Sequence, residues 1–504
     1  MKFKPGISFG DFIFHEVAKA SSADKQTDFS NWSLVIGRLI IVVSMGLLLV
    51  RLLGLQVFQG GSFRILADEN RIKRIKLSAD RGKILDVTGT EIPAEAATAH
   101  ILGYLGKVGS DEVGLLKDNG GKYDGSDWVG RTGLQEQYES SLRGVDGGRL
   151  VEVDNQGQEV RVLGEQKPIP GKNLDVHLDS KLQRLAYELL DGRKGAVVMS
   201  KPTGEIVTLV SSPSFDPNKL SDQYSAFSVQ KNLPLFNRAI GGIYPPGSPF
   251  KMVTTTAALS ENLVKSDFIY DDKGAIYIDK FSYTNWYFTQ HGKTEGWVGF
   301  AKALARSTDT FFYKVGEMTG AQNLHDWAIK FGFGQKTDID IPGEVAGLVP
   351  DPSKRDWFLG NTYHLAIGQS DLLATPIQVA QMTNILASEG KKCKLQIAQG
   401  LSTQCSVLSI DDQALKLIKQ GMIEACEQDG TAPMFADFEP KVACKTGTAE
   451  YALPSGKFGT HAWFVAFAPA DEPEITVTVL VEAGGEGSKV AAPIAKKLLE
   501  EYFK

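Results

Sequence analysis

Ser248 and Lys251 stand three residues apart in Tyr244-Pro245-Pro246-Gly247-Ser248-Pro249-Phe250-Lys251, a spacing that brings a hydroxyl and an amine to one face of a helix. The Pro-Pro-Gly before them cannot continue a helix, so one can begin near Ser248, with Pro249 tolerated in its first turn. The apolar and small residues from Met252 to Leu259 read as its buried continuation. Ser248 would then occupy a helix N-terminus, where free N–H groups and the positive dipole end favour a developing anion. Lys251 can take the hydroxyl proton if burial or a nearby cation keeps its amine neutral. The pattern itself is loose, since Ser22/Lys25, Ser228/Lys231 and Ser388/Lys391 also match it. Of the four, Ser248 alone combines helix-start punctuation with an apolar helix behind it.

Two further phrases add to this pair. Lys445-Thr446-Gly447-Thr448 contains a Lys-Thr-Gly that chance would place in about one chain in ten of this length, and it occurs once. Directly upstream of C-terminal strand patterns, it is expected on a strand. Glycine there lets a substrate backbone approach, and the lysine and threonine side chains can hold a carboxylate. Alone, the tripeptide is equally an exposed strand lysine. Ser307-Thr308-Asp309 is weaker still, because Ser22 to Asp24 and Ser78 to Asp80 also fit Ser-x-Asp. Its weight comes from standing between the other two phrases in one stretch of chain.

The elements that must position these residues are legible around them. A capped amphipathic helix begins after Asp179, with Leu182, Leu185, Ala186, Leu189 and Leu190 on one face. Gly195 to Ser200 and Gly204 to Val210 flank Lys201-Pro202-Thr203 as strand, turn and strand. Near the end, His461 to Phe467 and Glu474 to Val481 are strands, the second alternating Ile475, Val477, Val479 and Val481 with threonines. Lys489 to Phe503 closes as an amphipathic helix. Two strands early, at least three late and a helical block between them predict one α+β domain whose antiparallel sheet joins distant parts of the chain.

Ahead of that domain, residues 1–31 read as a polar tail and 32–55 as an apolar span. About 20 residues cross a bilayer as a helix, so this run suffices if Arg38 and Arg51 snorkel to the interfaces. No Ala-x-Ala-like site comes promptly after it, which favours an uncleaved anchor over a signal peptide. Arg64, Arg71, Lys73, Arg74 and Lys76 make the flank after the span at least as basic as the tail, so charge leans against an N-terminus-inside topology. Residues 56–175 read as a small loop-rich module and 176–504 as the catalytic domain.

Composition excludes several classes. The net charge of −6 and the lack of an aromatic-interleaved basic stripe give no reason to expect nucleic acid. No His-x-x-x-His, no Cys-x-x-Cys and no G-x-x-x-x-G-K-[ST] loop occurs, so neither a metal nor another cofactor is expected. Cys393, Cys405, Cys426 and Cys444 all lie in the last quarter. In an oxidising compartment, Cys393 and Cys405 could be bridged for roughly 3 kcal/mol; reduced thiols are the open alternative.

Taken in order, Ser-x-x-Lys, Ser-x-Asp and Lys-Thr-Gly resemble the motif set of penicillin-binding proteins and β-lactamases. Gly130 to Tyr138, Asn237-Arg238-Ala239-Ile240, Phe331-Gly332-Phe333-Gly334, Ile341-Pro342-Gly343-Glu344, Gly368-Gln369 with Thr375-Pro376, and His461-Ala462-Trp463-Phe464 strengthen the likeness. From anchor to C-terminus the chain resembles class B penicillin-binding proteins, most closely the elongation-type penicillin-binding protein 2. Tyr-Pro-Pro-Gly before the serine points to that branch, since the division branch tends to carry Glu where Pro245 stands. Three departures stand out: Asp309 where Asn is frequent, Ser370 where glycine is common, and a shortened N-terminal module.

The resemblance implies a penicillin-binding/β-lactamase-like transpeptidase domain whose central antiparallel sheet is flanked by helices, behind a membrane anchor and a short pedestal. Ser248 would attack the penultimate D-Ala carbonyl of a stem peptide, with Lys251 as base and Ser307 relaying a proton to the leaving amine. Asp309 would orient Ser307 and the substrate amide. Lys445, Thr446, Gly447 and Thr448 would bind the terminal carboxylate, which β-lactams mimic, and the N–H groups of Ser248 and Thr448 would form the oxyanion hole. The implied partners are peptidoglycan stem peptides, a SEDS-family glycan polymerase and elongation-complex proteins. The implied setting is a single-pass protein of the cytoplasmic membrane with a cytoplasmic tail and an extracytoplasmic catalytic domain. A β-lactamase or β-lactam sensor, a division-type transpeptidase and a non-catalytic polymerase activator are the rival readings.

Overall fold

The structure, a computed structural model, describes residues 31–113, 117–118, 121–154, 156–453 and 456–504. The expected tail lies outside them but for Asn31, as does the Ser22/Lys25 pair. Two compact units emerge. One is the chain up to Ile75 with Arg149–Glu165; the other is Lys76–Gly148 with Gln166–Lys504. These units cut across the 56–175 module that chain texture suggests.

In the first unit, α1 (Asn31–Leu53) runs on through a π-helical turn, Gly54–Phe58, to make an apolar helix of 28 residues, long enough to cross a membrane. None of the α1 side chains is buried against protein, as an apolar helix surrounded by lipid requires. Next, α2 (Gly60–Arg71) leads into a three-stranded sheet in which β2 (Gly147–Val153) lies between β1 (Ile72–Leu77) and β3 (Glu159–Gln166).

In the second unit, Asp179 caps α3 (Ser180–Leu190) by accepting from the N–H groups of Lys181 and Leu182. Then come β4 (Gly195–Ser200) and β5 (Ile206–Ser212), and much later in the chain β6 (Ala443–Ala452), β7 (Phe458–Ala468) and β8 (Ile475–Val481). Together they form one antiparallel sheet of order β5-β4-β8-β7-β6. Register pairs Val197 with Val479 and Gly447 with Trp463, so distant parts of the chain meet at the β4–β8 seam.

Both faces of this sheet are covered, which is why β4, β5 and β8 are wholly buried and read as near-continuous apolar runs. One face packs α3 and α9 (Gly487–Tyr502) around Leu182, Ala186, Phe464, Val479 and Leu498. Against β4 and β8 also lies α7 (Pro376–Ala387), a helix buried along all 12 residues and capped by Thr375 and Gln378. The helical block holds α4 (Lys251–Ser260), α5 (Phe300–Ala305), α6 (Asp309–Thr319) and α8 (Asp412–Cys426), packed about Phe250, Phe300, Phe311 and Phe312. Edge strand β6 packs against the turn Ser248–Phe250 that leads into α4, on the line where block and sheet meet.

Cys393 and Cys405 are directly opposed in a short antiparallel pair and bridged, which resolves the choice the sequence left open. A second bridge, Cys426–Cys444, joins the end of α8 to β6. Nothing in the spacing of those two residues announces it.

Candidate active site

The chain enters the site through Tyr244-Pro245-Pro246-Gly247, which is strapped on both sides. Tyr244 exchanges two backbone hydrogen bonds with Ala374, and the Trp463 indole N–H donates to Pro245 O at 2.9 Å. Gly247 turns with φ +62° and donates to Gly368 O at 2.8 Å. Ser248–Phe250 is then one turn of 3₁₀-helix that runs directly into α4. The helix start expected at Ser248 is therefore present, tightened in its first turn, and Lys251 is the first α-helical residue. Ser248 is half-buried, while Lys251 is 0% exposed.

Ser307 lies opposite. It connects α5 to α6 with φ +56°, a left-handed conformation costly for a non-glycine residue. That turn points its hydroxyl at Ser248, Oγ to Oγ 2.9 Å, and its carbonyl at Lys251. Lys251 Nζ reaches Ser307 O at 2.8 Å, Ser307 Oγ at 3.1 Å and Asp309 Oδ1 at 2.7 Å. Among the described residues it makes no hydrogen bond to Ser248 itself, so Ser307 Oγ stands between nucleophile and amine. Asp309 holds Lys251 through Oδ1 and accepts from Trp286 N–H through Oδ2 at 3.3 Å. Its influence on Ser307 thus passes through Lys251.

The third phrase lies on edge strand β6, as expected. Lys445 is 0% exposed and donates to Thr446 O at 2.9 Å; Thr446 is 8% exposed, and Thr448 faces solvent. Gly447 is needed for close approach. A Cβ there would meet Pro249 Cδ at 2.7 Å and Trp463 Cβ at 2.9 Å, so a side chain would push the serine-bearing turn off the strand. This brings Ser248, Lys251, Ser307 and Asp309 together on the helical side of the cleft, with Lys445, Thr446, Gly447 and Thr448 on the strand opposite.

The two lysines share one electrostatic problem. Burial lowers the Lys251 amine below the ordinary 10.5, while the Asp309 carboxylate raises it. Burial pushes Lys445 well below that value, the Lys251 cation pushes the same way, and Asp309 opposes both. Among the described residues, the three acceptors around Lys251 suit an ammonium, whereas Lys445 has a single carbonyl.

Four residues at the site escaped the sequence. Asn285 Oδ1 accepts from Asp309 N–H at 3.3 Å, and Trp286 Nε1 donates to Arg306 O at 2.9 Å. Gln369 straps the rim of β6, donating to Thr448 O at 3.4 Å and accepting from Glu450 N–H at 3.2 Å. Thr431 Oγ1 accepts from Thr446 Oγ1 at 2.9 Å. A signal existed for Gln369 alone, in the Gly368-Gln369 phrase. Its neighbour Ser370 has φ +64°, the conformation that makes glycine common at that place.

Comparison with known proteins gives the family. Residues 194–500 match the model of the penicillin binding protein transpeptidase domain, and residues 91–176 that of the penicillin-binding protein dimerisation domain. The peptidoglycan D,D-transpeptidase MrdA of Haemophilus influenzae is 35% identical over 447 residues, covering 80% of this chain and 68% of that protein. PBP2 of Pseudomonas aeruginosa, solved in complex with WCK 5153, superposes with a TM-score of 0.74 at 31% identity, covering 85% of this chain and 96% of that one. A chain of a peptidoglycan synthase complex, solved for its structural coordination of polymerization and crosslinking, gives a TM-score of 0.75 at 25% identity, covering 93% of this chain and 98% of that one. With a transpeptidase model matched across the sheet, the helical block and all three motifs, the chain belongs to the penicillin-binding protein transpeptidase family.

Proposed function

We propose that this chain is an elongation-type peptidoglycan D,D-transpeptidase, acting through a serine acyl-enzyme, and that Ser248 is its nucleophile. The observation that carries the reading is the relay Ser248 Oγ, Ser307 Oγ, Lys251 Nζ, with steps of 2.9 and 3.1 Å ending on a fully buried amine. Ser248 Oγ attacks the penultimate D-Ala carbonyl, and its proton passes through Ser307 Oγ to neutral Lys251. The N–H groups of Ser248 and Thr448 take the negative charge of the tetrahedral intermediate. As the C–N bond breaks, the proton passes back from Lys251 to Ser307 Oγ and from there to the departing D-Ala amine, Ser248 Oγ now being the ester oxygen. An amine from a second stem peptide then attacks the ester; the proton it gives up as the new C–N bond forms goes to Ser248 Oγ as the ester C–O bond breaks, which completes the crosslink and frees the serine.

Lys445, Thr446 and Thr448 hold the donor's terminal carboxylate, which a β-lactam carboxylate imitates, and Gly447 admits its backbone to the strand edge. Asp309 acts through Lys251, fixing where its amine lies. Residues 56–175 serve as pedestal, residues 32–55, within the long apolar helix, as anchor, and the catalytic domain as an extracytoplasmic body, where the stem peptides are. A membrane glycan polymerase of the SEDS type is the proposed partner, supported by the likeness to a chain of a peptidoglycan synthase complex.

Fluorescent penicillin labelling tests the assignment. Ser248→Ala is expected to abolish the covalent label, while Ser228→Ala and Ser388→Ala, at an exposed helix end and a helix C-terminus, keep it. A folded Ser248→Ala protein that still labels would overturn the assignment. A label lasting many minutes on the wild-type enzyme separates a transpeptidase from a β-lactamase, which would shed it by hydrolysis.

A further inference from the structure

The loop 427–432 touches both walls of the cleft. Its root is the second disulfide: Cys426 ends α8, and Cys444 directly precedes Lys445 on β6, both of them buried. The loop closes on itself where Gly430 N–H donates to Glu427 O at 2.9 Å and Ala432 N–H to Ala425 O at 2.8 Å. A Cβ on Gly430 would meet Ala425 O at 2.3 Å, so the turn is as tight as glycine permits. On the strand side, Thr446 Oγ1 donates to Thr431 Oγ1 at 2.9 Å. On the helical side, Arg306 donates to Asp429 O at 2.6 Å and to Glu295 at 2.9 Å, and its own carbonyl takes the Trp286 indole N–H. Arg306 is the residue before Ser307.

We propose that Thr431, presented by this disulfide-rooted loop, is a positioning residue for recognition of the donor carboxylate. It rests on the assignment of Lys445 and Thr446 to that carboxylate. The Thr446 hydroxyl has one proton. When that proton turns to the carboxylate, the Thr446 oxygen needs a donor of its own, and Thr431 is the hydroxyl within reach. Reversing the Thr431–Thr446 bond thus fixes the Thr446 rotamer and strengthens its donation. Carbonyls cannot play this part because they only accept. A valine at 431 fills the same space without the hydroxyl, and a serine restores it.

The test compares acylation of the full-length protein by benzylpenicillin and by its methyl ester, which lacks the carboxylate. Wild type is expected to prefer the acid. Thr431→Val should lose about fivefold to tenfold in second-order acylation by the acid while its rate with the ester stays at the wild-type level, and Thr431→Ser should recover the preference. A Thr431→Val enzyme with the full acid preference overturns the proposal. So does one in which both ligands slow equally, because a general loosening of the cleft would act on both. If wild type itself shows no preference for the acid, the carboxylate assignment of Lys445 and Thr446 fails first, and the role of Thr431 falls with it.

Discussion

At the scale of single residues the site is a contest over one proton between two buried lysines. Lys251 must be neutral to accept the proton of Ser248, and Lys445 must be charged to attract a carboxylate. Burial holds both amines below 10.5, with Asp309 as the carboxylate pulling against it. Acylation by a carboxylate-bearing β-lactam is therefore expected to rise with pH as Lys251 deprotonates and to fall as Lys445 loses its charge. Both limbs should lie below the pH at which an exposed lysine titrates. Linkage gives the matching sign for stability: the unfolded chain binds more protons between the lowered values and 10.5, so stability rises with pH across that window. Lys445→Arg keeps a charge at all these pH values, so it should lose the alkaline limb, retain the acid limb and cost about tenfold through imperfect fit. Lys251→Arg removes the base and should cost about 10³-fold or more. Stopped-flow acylation from pH 6 to 11 checks both; an alkaline limb that survives in Lys445→Arg would remove Lys445 as its source. Ser248, Lys251, Ser307 and Lys445 were legible because their motifs encode chemistry locally. The link from Asp309 to Lys251 was not, because it depends on the left-handed turn at Ser307, which no periodicity announces.

Elements set the width of the cleft. Edge strand β6 and the serine-bearing turn are held at contact distance by what is missing from Gly447 and by the Trp463 indole that reaches across to Pro245. Gly447→Ala places a methyl against Pro249 and Trp463, an overpacking that costs about 1–3 kcal/mol. Relieving it moves Ser248 away from Thr448, so acylation should fall about tenfold or more even at a temperature where the variant is fully folded. Thermal melting and acylation measured together check this; a destabilised variant that acylates at the wild-type rate would show that β6 and the turn need not be held so close. The strands themselves were readable from alternation at Ile475 to Val481 and from the turn at Lys201-Pro202-Thr203. The hairpin and short helix between Tyr270 and Val298 that bring Asn285 and Trp286 to the site were not, since their register depends on buried Asp272. That carboxylate accepts from Gly274, Asn285, Glu295 and Thr310. Such a hub has no sequence period. The Cys426–Cys444 pairing is hidden for the same reason, because it is a contact between a helix end and a strand rather than a local spacing.

For the whole molecule, charge and chemistry give opposite orientations. Basic residues after the span favour a catalytic domain in the cytoplasm, whereas the proposed substrate lies outside it. The two disulfides offer a way to decide that is independent of activity. All four cysteines are paired, and structural disulfides form and persist in oxidising compartments rather than in a reducing cytosol. Cys444 and Cys426 are buried, so their pairing reports where the domain folded rather than what reached its surface later. Full-length protein taken from membranes in acid, denatured and treated with a maleimide-polyethylene glycol, should then show no mass increment before reduction and four after it. A domain retained in the cytoplasm would show four increments without reduction. That result would vindicate the basic flank at Arg64 to Lys76 and remove the stem-peptide substrate from reach, whatever the active-site geometry allows.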